Sequence, residues 1–460
     1  LIFKNDIMRK IYILLSLGLL LSVACEELVE TDYPTNQIGA TQVFEDVKTA
    51  NAALAGLYAD LRNQSVITGG GYYGGVSLLS SYTDDLDCYN SDRGLMDIYQ
   101  NLQQETNIFI TSIWNTAYQQ IYYTNSIIYG AENSTELSEG DKNRIKGEAL
   151  LIRSLIYFYL QQLFDDIPYT NSLDYEYNRN LGKTEGPALL EQLEGDLTEA
   201  VSLLEDDYRD PERIYLNRKV AQLLLAKVYL TEQKYTEAEQ TAGAIFQSPL
   251  YQFQPDINEV FHKTGSHILW QLKPENDGDA TEEASFYYFS DAAPDAYALT
   301  EDLVSTFTDN DLRKQVWMSE VMFNDESWYR PYKYKNRADN TDEYSIVFRL
   351  EETYFIMAEA LAKQSRFDEA LPYLNATRER AGLTAFTSLS GEEFMNELLA
   401  EKRREFFTES GHRFLDLKRL GRLNELSDVK PNWEEYKSAW PLPQNEMLLN
   451  ANLKPQNQGY

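Results

Sequence analysis

The sequence predicts a mainly α protein built from stacked helical hairpins, and three observations carry that expectation. Apolar residues recur at spacings of three and four along successive segments, the period of one helix face. Two helix pairs far apart in the chain place small and aromatic residues at the same offsets. Stretches without this period gather into two long regions, about 64–104 and 274–340, with room for a few short strands.

At the start of the chain, Lys4, Arg9 and Lys10 precede residues 11–23, where only Ser16, Gly18 and Ser22 interrupt aliphatic residues and one tyrosine. A basic region followed by about 7–15 apolar residues is too short for the roughly 20 that span a bilayer as a helix, so it reads as an export signal. Residues 1–7 add nothing to that signal, which leaves Met8 as a candidate start. Ser22, Val23 and Ala24 are small or medium residues directly before Cys25. This resembles a bacterial lipobox, in which the cysteine is lipidated and heads the mature chain, although Leu21 stands four before the cysteine where the usual pattern has leucine three before. Each buried lipid CH₂ contributes about 0.8 kcal/mol, so a triacylated Cys25 would anchor stably. An ordinary signal peptide cleaved nearby, or a buried anchor, is the alternative. The expected organisation is a lipoprotein signal peptide over 1–24, a lipidated tether over 25–40 and one helical domain over 41–460.

Composition sets further bounds. If Cys25 is lipidated, Cys88 has no partner among the two cysteines of the chain, and no disulfide framework is available. The net charge of −32, or −34 once residues 1–24 are removed, repels phosphate backbones and anionic head groups and argues against nucleic-acid binding. Thirty-three tyrosines offer flat apolar faces with polar tips, suited to helix cores and to stacking on sugars or peptides.

The helices follow in order. Residues 41–63 read as the first, and Trp114, Ala117, Tyr118, Ile121, Asn125 and Ile128 form a stripe ended by Gly130. Ile145, Ala149, Ile152, Ile156, Tyr159 and Leu163 form the next, stopped before Pro168. Further helices are expected at about 187–204, 217–231, 234–247, 350–364, 366–381 and 391–407, with a strand at 267–272. Ala226, Tyr229, Ala238 and Ala242 sit at the small and aromatic packing positions of tetratricopeptide repeats, and Ala358, Leu361, Ala370 and Leu374 repeat the offsets of 3, 12 and 16.

No catalytic pattern stands out. His262, His267 and His412 are scattered, "GGGYYGG" lacks the strand and helix of a phosphate cradle, and no nucleophile elbow or Walker loop is present. No cofactor is called for. The acid pairs Asp84/Asp85, Asp165/Asp166 and Glu392/Glu393 read as solvated faces among 73 acids rather than as glycosidase pairs. Trp114 falls on a helical stripe and reads as core.

The last third carries the most specific pattern. "RLEETYFIMAEALAKQSRFDEALPYLNATRERAGL" leads to "LLAEKRREFFTESGHRFLDLKRLGRL" and then to "WPLPQNEMLLNANLKPQNQGY". In order and spacing these blocks resemble the RagB/SusD family of outer-membrane nutrient-binding lipoproteins. Arg349, Glu359 and Arg380 match the first block, Glu401, Arg403, Glu405, Gly411, Arg413 and Asp416 the second, and Pro441, Pro443, Asn457 and Gly459 the third. "GEALLIRSLIYFYLQQLFDDIPYT" and the acidic start after Cys25 extend the resemblance upstream. Gln458 replaces the usual proline, and Ser410 separates Glu409 from Gly411. The charges of these blocks suggest a scaffold lock of helix-to-loop ion pairs, each worth little if exposed.

The resemblance implies a tetratricopeptide-like, right-handed superhelical scaffold, lipid-anchored to the outer membrane and facing the cell exterior. It implies a lid on a SusC-like TonB-dependent transporter barrel that captures oligosaccharides, or in some members peptides, without breaking bonds. Glu26 and Glu27 resemble the acidic surface-export signals of such lipoproteins, or form a plain solvated tether. Ligand contacts are then expected in the two irregular regions: Tyr72, Tyr73 and Tyr89 in the first, Tyr287, Tyr288, Trp328 and Tyr329 in the second, with Asp84, Asp85 and Asn90 as polar partners. A surface glycan-degrading enzyme and a scaffold that binds only proteins are the rival classes.

Overall fold

Asn107 and Ser138 open the two longest helices by accepting hydrogen bonds from backbone N–H groups of the first turn, those of Phe109 and Ile110 in one and that of Asp141 in the other. The structure, a computed structural model, describes residues 42–460. Cys25, the export signal and the expected tether lie outside the described residues.

The helices of eight residues or more are α1 (Val47–Asn63), α2 (Gly75–Tyr82), α3 (Ile108–Asn133), α4 (Glu139–Phe164), α5 (Gly186–Leu203), α6 (Arg218–Thr231), α7 (Tyr235–Phe246), α8 (Leu350–Lys363), α9 (Phe367–Arg380), α10 (Gly391–Phe406) and α11 (His412–Arg419). From α3 to α11 each packs on the next. The stacking passes from α7 to α8 although about a hundred residues intervene, which is the behaviour of a helical-hairpin solenoid. Ala226, Ala238, Ala242, Ala358 and Ala370 are completely buried at the crossings, where small side chains let the paired helices approach. α3 does not end at Gly130. A Cβ there would stand 2.1 Å from the Phe44 ring, so this glycine admits a packed aromatic, and the helix runs on to Asn133.

Both regions expected to be irregular contain structure. The first holds α2, a short helix at Arg93–Tyr99 and strand β1 (Leu86–Cys88). Beyond β2 (Ile268–Leu272), the second supplies β3 (Tyr297–Leu299), β4 (Met318–Phe323) and β5 (Glu326–Pro331). With β1 they form an antiparallel sheet in the order β1-β3-β5-β4. Asn324 and Asp325, with φ of 51° and 65°, make the tight turn between β4 and β5; positive φ at both positions is what a two-residue type I′ hairpin needs. β2 pairs with β6 (Ser345–Arg349), which runs straight into α8.

This insertion is fastened to the repeats by buried charges. Arg313 is fully buried, with Asp311 at 2.9 Å, Glu401 at 2.7 Å and Glu405 at 3.4 Å. Arg349 reaches Glu405 at 2.6 Å and Glu409 at 2.9 Å, Arg380 pairs with Glu351 and Glu405, and Lys333 meets Glu409 at 2.5 Å. The scaffold lock expected from the sequence is therefore present, and it is a desolvated lattice rather than a set of exposed pairs. Burial would raise the Glu405 carboxyl, but Arg380, Arg349 and Arg313 hold it well below the usual range.

Removing one partner from such a lattice strands the others without solvent. Glu405→Ala is expected to lower the urea unfolding free energy by about 3–5 kcal/mol, whereas Arg366→Ala, at a solvent-screened surface pair with Glu239, should change it far less. Glu352 lies 2.8 Å from Lys227 and 3.5 Å from His412. Burial opposes its charge, yet these partners bring its pKa from 4.5 down to about 2. The stabilisation is complete above about pH 4.5 and is lost as pH falls through about 2. Unfolding free energy should rise with pH across that window, and less steeply in Glu352→Gln.

Candidate functional site

Side chains along a strand alternate between faces, and β5 uses that alternation to separate core from surface. Tyr329 packs on the main core, Pro331 is buried, and Lys333, just past the strand, reaches the lattice beneath. Trp328 and Arg330 point the other way. Trp328 packs on the small cluster of Phe289, Ala298 and Val321, opposite Val321 in the hairpin register. Its side chain turns toward the Tyr89 hydroxyl. Burial and Asp87 push the Tyr89 phenol up, and Trp328 pulls it back.

Tyr89 is 42 % exposed and is set by its backbone N–H, which donates to the Ala296 carbonyl at 2.9 Å. Tyr288 has the Arg337 guanidinium 3.3 Å from its ring centroid and Arg330 at 4.7 Å, and its hydroxyl donates to Ser290 Oγ at 2.8 Å. Tyr73 is 43 % exposed and leans on Phe109 at the start of α3, with ring centroids 4.8 Å apart. Asn90 is half-buried, and its carboxamide oxygen accepts from the Asp92 N–H at 2.8 Å. Tyr89, Trp328 and Tyr288 are grouped as an aromatic row at the outer face of the sheet: Trp328 adjoins Tyr89 and packs on Phe289, the chain neighbour of Tyr288, whose ring is overlaid by Arg337, while Tyr73 sits on Phe109 at the start of α3. Rows of this kind on a rigid sheet suit flat, partly apolar ligands.

Other expected contacts belong to the scaffold. Asp84 and Asp85 are 4 % and 2 % exposed. Arg413 takes both oxygens of Asp84, at 2.8 and 2.7 Å, and Arg403 lies 3.1 Å from Asp85. Burial would raise Asp84, but Arg413 and Arg403 hold it below its ordinary value; for Asp85 burial wins and the pKa is raised. These acids are neither solvated, as the sequence suggests, nor open to a ligand. Tyr287 is buried, its hydroxyl donating to the Gly69 carbonyl at 3.0 Å. Tyr72 packs edge-on against Phe286 at 5.0 Å, and Tyr329 faces the core, so both hold the loop layer together.

Sequence reasoning missed two features. One is the set Arg330, Lys335 and Arg337 beside the aromatic row, hidden in a region whose composition draws attention to its aromatics and acids. The other is a groove of about 670 Å³ between α3, residues 168–181 and residues 446–453, with Tyr122, Tyr175 and Leu449 on its exposed rim and Trp114 and Tyr118 in its wall. Trp114 is buried as expected. The tyrosines of α3 that fall off its apolar stripe were the available signal for this groove. Among the described residues no group of three or more His, Cys, Asp or Glu is placed to hold a metal ion, and no helix is long and apolar enough to cross a membrane.

Comparison with known proteins places the chain. Residues 42–230 match a family model described as starch-binding and associating with the outer membrane, and residues 317–460 match the SusD family model. The chain belongs to the RagB/SusD family. SusD-like proteins of Formosa agariphila are similar to it along nearly their whole length, one 23 % identical over 94 % of this chain and 95 % of the relative, another 25 % identical over 98 % and 100 %. Among solved structures, a SusD superfamily protein from Bacteroides vulgatus superposes with a TM-score of 0.77 at 22 % identity, covering 91 % of this chain and 100 % of the other. A laminarin-binding SusD-like protein gives 0.76 at 21 %, covering 90 % and 99 %. Surface glycan-binding protein A of Bacteroides thetaiotaomicron, solved with laminarihexaose, gives 0.75 at 17 %, covering 89 % and 99 %.

The RagB/SusD motif residues are thus seen at work as structure. Arg349, Arg380, Glu401 and Glu405 form the buried lattice, and Arg403 and Arg413 clamp Asp84 and Asp85. Gly411, at φ 62°, starts α11 where an added Cβ would meet Leu79 at 2.5 Å, so this family glycine sets the approach of α2. Ser410, the inserted residue, accepts a hydrogen bond from Tyr159 on its carbonyl at 2.8 Å. Asp84→Ala is expected to cost about 3–5 kcal/mol in urea unfolding because it strands Arg413. Tyr89→Ala, at the surface, should stay within about 0.5 kcal/mol.

Proposed function

We propose that this protein is a cell-surface glycan-binding lipoprotein that captures oligosaccharides on the row formed by Tyr89, Trp328 and Tyr288, with Tyr73 beside it. The observation that carries this reading is that exposed Tyr73 and Tyr89 and half-buried Trp328 and Tyr288 lie on and around a sheet whose opposite face is locked to the core. Sugar rings present apolar C–H faces, and a rigid aromatic platform binds them without first having to be ordered. A laminarin-binding SusD-like protein and a surface glycan-binding protein solved with laminarihexaose share this fold, which supports this class of ligand. Asn90 adds a polar contact at the edge of the row.

Within the same proposal, Cys25 carries the lipid anchor in the outer membrane, on the outward face of the cell, and the body serves as the lid of a SusC-like TonB-dependent barrel. Such a lid must retain a sugar and then release it, which modest affinity from stacking and hydrogen bonds permits. The protein binds without cleaving. A glycosidase would need two carboxylates about 5–10 Å apart across the ligand, whereas Asp84 and Asp85 are held inside by arginines.

Calorimetric titration of the chain from Glu26 onward against a glycan panel, with peptides as a second panel, tests the reading. Trp328→Ala and Tyr89→Ala should each weaken the best glycan by about tenfold, a loss typical of a central aromatic contact, while Tyr287→Phe leaves it unchanged. Unaltered affinity after alanine replaces Tyr73, Tyr89, Tyr288 and Trp328 together would refute the site. New reducing ends released from a polysaccharide would refute the non-enzymatic role, and binding confined to peptides would overturn the ligand class.

A further inference from the structure

Arg330, Lys335 and Arg337 stand together beside the aromatic row. Arg330 lies 4.7 Å from the ring centroids of both Tyr288 and Tyr332, Arg337 lies 3.3 Å from that of Tyr288, and Lys335 lies 5.4 Å from that of Tyr332. The chain carries 73 acids against 41 basic residues, so a cation here can find a carboxylate easily. Arg153, Arg313, Arg349, Arg403, Arg413 and Arg419 all do. Arg330, Lys335 and Arg337 form no ion pair with any described residue; Nε of Arg330 is buried without an acceptor, as are those of Arg378, Arg380 and Arg404, but those three guanidiniums hold carboxylates through their other nitrogens and that of Arg330 holds none. An unanswered donor of this kind costs free energy unless something supplies the acceptor.

The rings do not supply it. A tyrosine face holds a guanidinium by its quadrupole and fixes its plane, but it accepts none of the five N–H bonds that guanidinium directs outward in a fork. That fork fits the paired oxygens of a carboxylate or a sulfate. Arg330 also shares the outward face of β5 with Trp328, two residues away, so a group bound to it lies next to a sugar stacked on the indole. Burial and the neighbouring Arg337 both weaken the hold of Arg330 on its proton, which an incoming anion would reverse.

We infer that Arg330, Lys335 and Arg337 form an anion subsite of the glycan platform, which selects oligosaccharides bearing a sulfate ester or a uronate carboxylate. This rests on the glycan-binding reading and narrows it from sugars in general to acidic ones. An acidic protein surface repels such polyanions at long range; the three unpaired cations give them one place to dock.

The chain from Glu26 onward is titrated at low and at moderately raised salt with three probes: a sulfated galactan oligosaccharide, an oligogalacturonate and a neutral laminari-oligosaccharide. The double variant Lys335→Gln with Arg337→Gln changes surface side chains, and Arg330→Lys keeps the charge but loses the fork; thermal unfolding checks that each is folded. At least one acidic probe should bind more tightly than the neutral one, weaken about tenfold or more in the double variant, weaken in Arg330→Lys, and weaken with salt. Which acidic probe binds tells sulfate from carboxylate. Acidic probes that bind no better than the neutral sugar, or that ignore the variants, overturn the subsite. If the neutral sugar still binds and is lost in Trp328→Ala, the glycan reading survives that failure; if no sugar binds, both fall.

Discussion

Everything in this fold rests on the buried charge lattice centred on α10. Glu401 and Glu405 lie one turn apart on one helix face, and between them they engage Arg313 from the insertion, Arg349 at the head of α8 and Arg380 at the end of α9. Taking so many charges out of water costs several kcal/mol for each ion unless every partner is in place. The lattice therefore makes one arrangement of insertion and repeats far better than any shifted one. A hydrophobic contact could slide by a residue at small cost. This lattice cannot.

The same helix also faces the other way. Arg403 and, beyond the turn, Arg413 draw in Asp84 and Asp85, which precede β1, and so fix the edge strand of the sheet. Lys333 follows β5 and reaches Glu409, so the inner face of the hairpin strand is tied down as well. What remains on the outer face is Trp328, Arg330 and the rings near them. The sheet is thus a plate bolted from below, and ligand chemistry above it can vary without disturbing the bolts. Scaffold and selectivity reside on opposite faces of one strand.

The helices and their repeat were legible in the sequence because the 3.6-residue period and the alanine offsets are local signals, and Ala226 and Ala358 announce the crossings they occupy. The four-stranded sheet was not legible. Its strands are three to six residues long, and its edge is closed across more than 200 positions, where Leu86 pairs with Leu299; only β4 and β5 form a local hairpin. Asp84 and Asp85 misled because an adjacent acid pair in an acidic chain carries no mark of burial, and the arginines that bury them come more than 300 residues later. Tyr287 and Tyr288 show the same limit. Neighbours in sequence, one fills the core and the other meets solvent, and only the turn after the short helix at Glu282–Phe286 decides which.

Hydrogen–deuterium exchange with and without a bound acidic oligosaccharide tests the division between plate and platform most directly. Added protection should appear at residues 86–90, 286–290 and 326–337, while α6, α7, α8 and α9 keep the rates of the free protein. Protection confined to the repeat helices, or to the groove between α3 and residues 446–453, with none on the outer face of β5, would contradict the account.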